Sequence, residues 1–191
     1  FREVARTEED TAWIHARREF FREHISRFIR EFNIDLLIPQ NLLSFPLNIP
    51  LTLALTEIIS ETAIPTIAHH HDFTWERKPL IVNNVGDYLA MAFPPDLPSV
   101  QHVVINSEAR HQLARRKGVS ATIVPNFMDF ENPPSDADKY AADVRQSLGL
   151  EDDELFFLQP TRVVQRKGIE QAIELVSRLG KKARLVVSHA S

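Results

Sequence analysis

One change of hydrophobic period near the C-terminus restricts the fold of this chain more than any other feature. Leu155-Phe156-Phe157-Leu158 is a short apolar run stopped by Pro160, the pattern of a strand buried on both faces. From Gly168 the period lengthens, and Ile169, Ala172, Ile173, Val176 and Leu179 fall on one face of a helix. Gly180 takes the left-handed position after that helix, and Ala183-Arg184-Leu185-Val186-Val187 opens a second strand. Leu155 to Ala190 is therefore predicted to be a βαβ unit. Its βα turn carries Arg162 and, five residues on, Lys167-Gly168. Two cations ahead of a helix N-terminus, whose free N–H groups and dipole also favour anions, form a candidate phosphate site. Neither G-x-G-x-x-G nor G-x-x-x-x-G-K-[ST] is present. Of the five glycines, Gly118, Gly149 and Gly180 follow predicted helices, so a glycine-rich phosphate cradle is excluded within the chain.

The rest of the chain alternates in the same way. Residues 8–32 read as an amphipathic helix with Ile14, Phe21, Ile25, Phe28 and Phe32 on its apolar face and a solvated charged face of Arg17, Arg18, Glu19, Arg22 and Arg30. Pro50 opens a helix bearing Leu51, Leu55, Ile58 and Ile59, and Tyr88 to Phe93 reads as a short one. Ser107 caps a helix running to Lys117, and a further helix is expected from about Lys139 to Leu148. Strands are expected at 34–38, 66–69, 102–105, 121–124, 155–159 and 183–188. Strands alternating with helices predict an α/β protein with parallel sheets. The proline-bearing acidic stretch PNFMDFENPPSDAD is the best linker, which divides the chain into 1–126, a linker at 127–138, and 139–191. The pattern begins on a helix and stops on a strand, so it is read as an internal portion of a larger enzyme.

Composition narrows the function classes. A net charge of −4 with 25% charged residues gives no basic surface for nucleic acid. Without cysteine there is neither a disulfide framework nor a thiolate metal site. No apolar run of membrane-spanning length and no basic-then-apolar leader are seen, which makes the cytoplasm the default location.

His69-His70-His71-Asp72-Phe73-Thr74-Trp75-Glu76-Arg77 leaves the C-terminal end of a predicted strand, where open α/β sheets bind ligands. Along an extended segment His69 and His71 share a side and His70 takes the other. A zinc site needs three or four convergent ligands, and no HExxH helix or second His-rich stretch supplies them, so no metal is expected. A structural role for the cluster stays open.

LQPTRVVQRKGIEQAIELVSRL resembles the start of the second domain of family 4 glycosyltransferases, of GT-B architecture. IAHHHDFTWER is similar to the strand and following loop of a subset of these enzymes. VVINSEARHQLARRKGVSATIVPNFMD resembles their strand, Ser-capped helix, strand and Pro-Asn-Gly-x-Asp passage. The resemblance runs from about Ile34 to Val187. It departs at Pro160-Thr161, ahead of the Arg, and at Phe127, which stands where Gly is usual. It implies a GT-B-like fold containing the rear of an N-terminal, acceptor-side Rossmann-like domain and the start of a C-terminal, nucleotide-sugar-binding one.

The resemblance also implies roles. Arg162, Lys167 and Gly168 hold the donor diphosphate, and His71 matches a His that lies in the interdomain cleft beside the donor sugar. Asp72, Trp75, Glu76 and Arg77 either line the acceptor side or pack the loop under its domain. The expected reaction is metal-independent glycosyl transfer with retention, from a nucleotide-sugar donor to a sugar or glycoside acceptor, with no further cofactor. The family's acidic Glu pair would lie beyond Ser191 and its glycine-rich acceptor loop before Phe1, so the chain alone is expected to be inactive. Because fold does not fix reaction, an epimerase, a phosphorylase, a non-catalytic phosphate-binding module and a His-based metal hydrolase remain competing readings.

Overall fold

The computed structural model describes residues 5–132 and 138–189. They fall into two compact units, the first ending at Met128 and the second beginning at Asp129. Of the expected linker 127–138, residues 133–137 lie outside the described residues. The architecture is α/β with parallel sheets throughout.

The first unit opens with α1 (Glu8–Glu31), started by a capping box in which Thr7 and Asp10 exchange hydrogen bonds and by an acidic first turn. It packs on α2 (Ile49–Thr62), where the Asn48 side chain accepts from Leu51 N and Pro50 in the first turn has no N–H to leave unpaired. On α1 Ile14 is buried and Ile25 and Ile29 are half-buried against the core, a face rotated from the expected stripe. Phe28 and Phe32 are exposed and instead pack on each other, ring centroids 4.7 Å apart. The charges account for the rotation. Arg18 pairs with Glu57 at 3.0 Å and Arg22 with Glu61 at 2.8 Å, so part of the expected solvated face is turned toward α2.

Strands β1 (Thr66–His70), β2 (Val100–Val104) and β3 (Thr122–Ile123) form one parallel sheet in that order, with Thr66 opposite Val100 and Val103 opposite Thr122. Between β1 and β2 lie α3 (Lys78–Ile81) and α4 (Gly86–Ala92). The crossover from β2 to β3 is α5 (Ser107–Lys117), capped by Asn106 rather than by Ser107. The expected strand at 34–38 is displaced to an irregular edge segment. Leu37 and Gln40 bridge Thr66 and His69 in parallel. Leu37 N donates to Pro65 O and Asn41 N to His69 O, while Leu37 O and Pro39 O accept from Ile67 N and His69 N. The missing rung is at Pro39, which has no N–H to give. The core beneath the sheet is built from Leu43, Leu55, Ile59, Ala68 and Val100. A neighbouring cluster of Phe73, Val104, Ala109 and Leu113 fixes α5 to the loop after β1.

In the second unit β4 (Leu155–Gln159) and β5 (Ala183–Val187) pair in parallel, joined through α7 (Ile169–Arg178). The βαβ order of the C-terminal stretch is the arrangement found, but β4 is not buried on both faces, since Leu155 and Leu158 are exposed and Phe156 and Phe157 half-buried. Ile169 is buried and Ala172 and Val176 are half-buried, whereas Ile173 lies exposed. The helix expected from Lys139 to Leu148 is reduced to turns followed by α6 (Val144–Ser147). Tyr140 and Val144 are exposed, so no packed face supports a longer helix there. Glu154, buried at the mouth of β4, accepts from Arg184 Nε at 3.1 Å and ties β5 to its neighbour. Among the described residues no helix is long and apolar enough to cross a membrane.

Candidate functional site

The loops that follow the edge segment and β1 leave the same end of neighbouring parallel strands and interlock through one side chain. Asn41 Oδ1 accepts from the backbone N–H groups of His71 and Asp72, both at 2.9 Å, and from Ser44 Oγ at 3.2 Å. Asn41 itself sits at φ 58°, a left-handed conformation that asparagine tolerates better than most residues. His71 Nε2 lies 3.2 Å from Gln40 Oε1, and its ring is 4.4 Å from that of His69, so these two imidazoles do share a side. His69 is held below the ordinary imidazole value, first by burial and then by the neighbouring His71.

His70 takes the opposite face. It is buried, its Nε2 is 2.9 Å from His102 Nδ1 on β2, and burial above all pushes it down to about 3. His70 is thus a core residue. Among the described residues no group of three or more His, Asp or Glu side chains is arranged to hold a metal ion.

The remaining residues of the stretch divide by what they touch. Asp72 and Arg77 form an ion pair, both about one-third exposed, and the Arg77 guanidinium lies 5.9 Å from the Phe45 ring centre. Glu76 closes the 3₁₀ turn Thr74–Glu76 by accepting from Phe73 N at 2.9 Å. Trp75 stacks on buried Phe73, centroids 4.5 Å apart and 7° from parallel, with Arg116 over its ring at 5.4 Å. His71, Asp72 and Arg77 therefore present polar groups near the strand ends, while Glu76 shapes the loop and Trp75 packs it onto α5.

In the second unit the chain leaves β4 through Pro160 and folds a 3₁₀ turn at Gln165–Lys167. Gln159 Nε2 donates to Lys167 O at 2.7 Å, which ties the strand end to the turn. Gly168 then adopts φ 66°, which calls for glycine; an added Cβ there would lie 3.1 Å from Gln171 Oε1, the movable end of a side chain. Gly168 precedes α7 without any side-chain cap, leaving the first-turn N–H groups available. Arg162 and Lys167 are exposed, and among the described residues no carboxylate pairs with either. Gln159 Oε1 and Thr161 Oγ1 are shielded from water without a partner among the described residues. Unpaired cations, uncapped amides and the Thr161 hydroxyl, which is free to donate, make this loop chemically suited to an anion; the Gln159 oxygen, an acceptor, adds nothing to that. Gln40 and Asn41 were not anticipated as site residues. Asn41 gave only a weak signal, an Asn where a strand end must turn, and their contact with His71 joins segments about thirty residues apart.

No family model matches the chain. It is similar to the mannosylglucosylglycerate synthase of Thermotoga maritima, 43% identical over 147 residues, which are 76% of this chain and 33% of that protein. It is also similar to the mannosylglucosylglycerate synthase of Petrotoga mobilis, 33% identical over 174 residues, 85% of this chain and 40% of that protein. The chain thus spans between a third and two-fifths of the length of these curated relatives.

Proposed function

We propose that this chain is part of a glycosyltransferase that moves a mannosyl group from a nucleotide-sugar donor to a glucosylglycerate-type acceptor. The observation that carries this reading is the similarity to two mannosylglucosylglycerate synthases across most of the chain. The anion-suited loop of the second unit supports it. In this reading Arg162 and Lys167, with the amides after Gly168, hold the donor diphosphate. As the bond between the sugar carbon and the diphosphate oxygen breaks, they neutralise the charge growing on the leaving group, which is electrostatic transition-state stabilisation. That role needs no divalent metal. His71, oriented by Gln40 and by Asn41 through the backbone, hydrogen-bonds the transferred sugar and need not be charged to do so. Asp72 and Arg77 contribute to the acceptor side, with Glu76 and Trp75 supporting their loop. Retention at the sugar carbon and a cytoplasmic location belong to the same proposal.

Incubation of the full-length protein with a panel of nucleotide sugars and glucosylglycerate tests it, with the anomeric configuration of the product read by NMR. Release of nucleoside diphosphate with formation of a retained mannoside in the presence of a chelator is the expected result. Binding without turnover identifies a non-catalytic module, and turnover without an acceptor identifies an epimerase or hydrolase; either overturns the transferase reading.

A further inference from the structure

We propose that the flank of the first unit carries a separate binding site for a small polyhydroxy anion, a sugar phosphate or a sugar acid. The site is a cavity of about 690 Å³, lined among others by Trp75, Met91, Phe93, Asp96, Arg116 and Lys117. That volume falls in the range of small-molecule pockets. None of the lining residues belongs to the cluster around Asn41; Trp75 lies on the same loop as His71 but turns to the flank, where Asp96 precedes β2 and Lys117 precedes β3.

Its two cations are held in place yet unpaired. Arg116 is fixed over the Trp75 ring, and its Nε donates to Gln112 Oε1 at 2.9 Å. Lys117 Nζ donates to the carbonyl of Ala90 at the end of α4. Among the described residues neither has a carboxylate within ion-pair distance. Burial pushes the Lys117 ammonium below the ordinary lysine range, with Asp96 opposing that shift. A half-buried ammonium satisfied only by a neutral carbonyl is a group that gains from a bound anion. The Trp75 indole Nε1, shielded from water, likewise has no partner among the described residues. Exposed, apolar Met91 suits the C–H face of a sugar ring over a floor backed by buried Phe93, and the exposed Asp96 carboxylate accepts hydroxyl hydrogens.

This inference does not depend on the transferase reading, and its test separates the two. The chain has two tryptophans, so Trp13→Phe leaves Trp75 as the only fluorophore beside the cavity. The complete chain carrying that substitution is titrated with glucose 6-phosphate, gluconate and glucose. A saturable change in Trp75 emission is expected with the anions and not with glucose. Response to glucose 6-phosphate alone assigns a phosphate group, and response to gluconate as well assigns a carboxylate-compatible site. Lys117→Met, which keeps the aliphatic stem, and Arg116→Gln, at an exposed position, should each weaken the response about tenfold. Arg162→Ala with Lys167→Ala should leave it unchanged. No saturable response, an equal response to glucose, or a response abolished only by the Arg162 and Lys167 substitutions overturns the proposal.

Discussion

His70 Nε2 and His102 Nδ1 meet at 2.9 Å in the interior of the first unit, one ring donating and the other accepting. Both side chains are buried; the outer nitrogen of His70, Nδ1, has no partner among the described residues, while His102 has the Pro95 backbone beside it. Such a pair is tolerated only while both rings are neutral.

A pH dependence follows from its sign. Burial above all lowers both imidazoles; His102, His69 and His71 add to the shift of His70, while Asp96 and the Pro95 backbone oppose that of His102 and Lys117 adds to it. The unfolded chain takes up these protons first. The folded state is therefore fully favoured above the ordinary value of 6.5, and stability falls as pH drops toward about 3 for His70. Within that window His70 costs up to about 1.4 kcal/mol per pH unit. Urea midpoints measured across this range should fall more steeply for the parent than for His70→Leu/His102→Leu, which removes both polar partners. Parallel curves would show that the pair does not govern acid sensitivity.

Asn41 should matter more than a loop asparagine usually does. Asn41→Ala strips the acceptor from two backbone N–H groups and places alanine at φ 58°. We expect a loss of about 1–3 kcal/mol in unfolding free energy, while Asn41→Asp, which keeps the oxygen and tolerates that φ, recovers most of it. Equal losses in the two variants would rule out the acceptor role.

The elements that local pattern specifies were legible in the sequence, and those that tertiary partners specify were not. The period change between Leu158 and Ile169 marks β4 and α7 because strand and helix each carry their own local repeat, although Leu155, Leu158 and Ile173 stay exposed. The alternation of His69, His70 and His71 likewise follows from extended geometry. The rotation of α1 escaped because Glu57 and Glu61, which draw Arg18 and Arg22 inward, lie on another helix. The edge segment escaped because an apolar run looks the same whether or not Pro39 breaks its ladder. Asn41 at the site and Lys117 in the flank cavity share that cause: both depend on atoms brought together by the fold.

Opposite faces of β1 should separate function from stability. In the full-length protein His71→Ala is expected to lower turnover about tenfold or more, the worth of one hydrogen bond to a reacting sugar, with little change in melting temperature. His70→Ala should instead lower the melting temperature, because it leaves His102 Nδ1 buried and unpaired. If both variants lose stability equally and His71→Ala keeps its specific turnover, His71 is a structural residue.

The anion loop of the second unit makes a prediction about salt. Arg162 and Lys167 are exposed, and exposed charges are screened over about 8 Å at physiological ionic strength. Calorimetric titration of the full-length protein with a nucleoside diphosphate at low salt should show about a tenfold loss for Arg162→Ala and for Lys167→Ala. Raising the salt should weaken the parent more than either variant, so that the three affinities converge. Glu170 provides a contrast of opposite sign, since it is an exposed acid in the first turn of α7. Glu170→Gln removes a negative charge beside the same amides and should leave binding unchanged or slightly tighter. An effect of the backbone alone would spare both cation variants, because uncapped N–H groups and the helix dipole persist when those side chains are cut. Affinities equal to the parent's for Arg162→Ala and Lys167→Ala at low salt would therefore move the diphosphate site elsewhere and remove the electrostatic support from the proposed transfer.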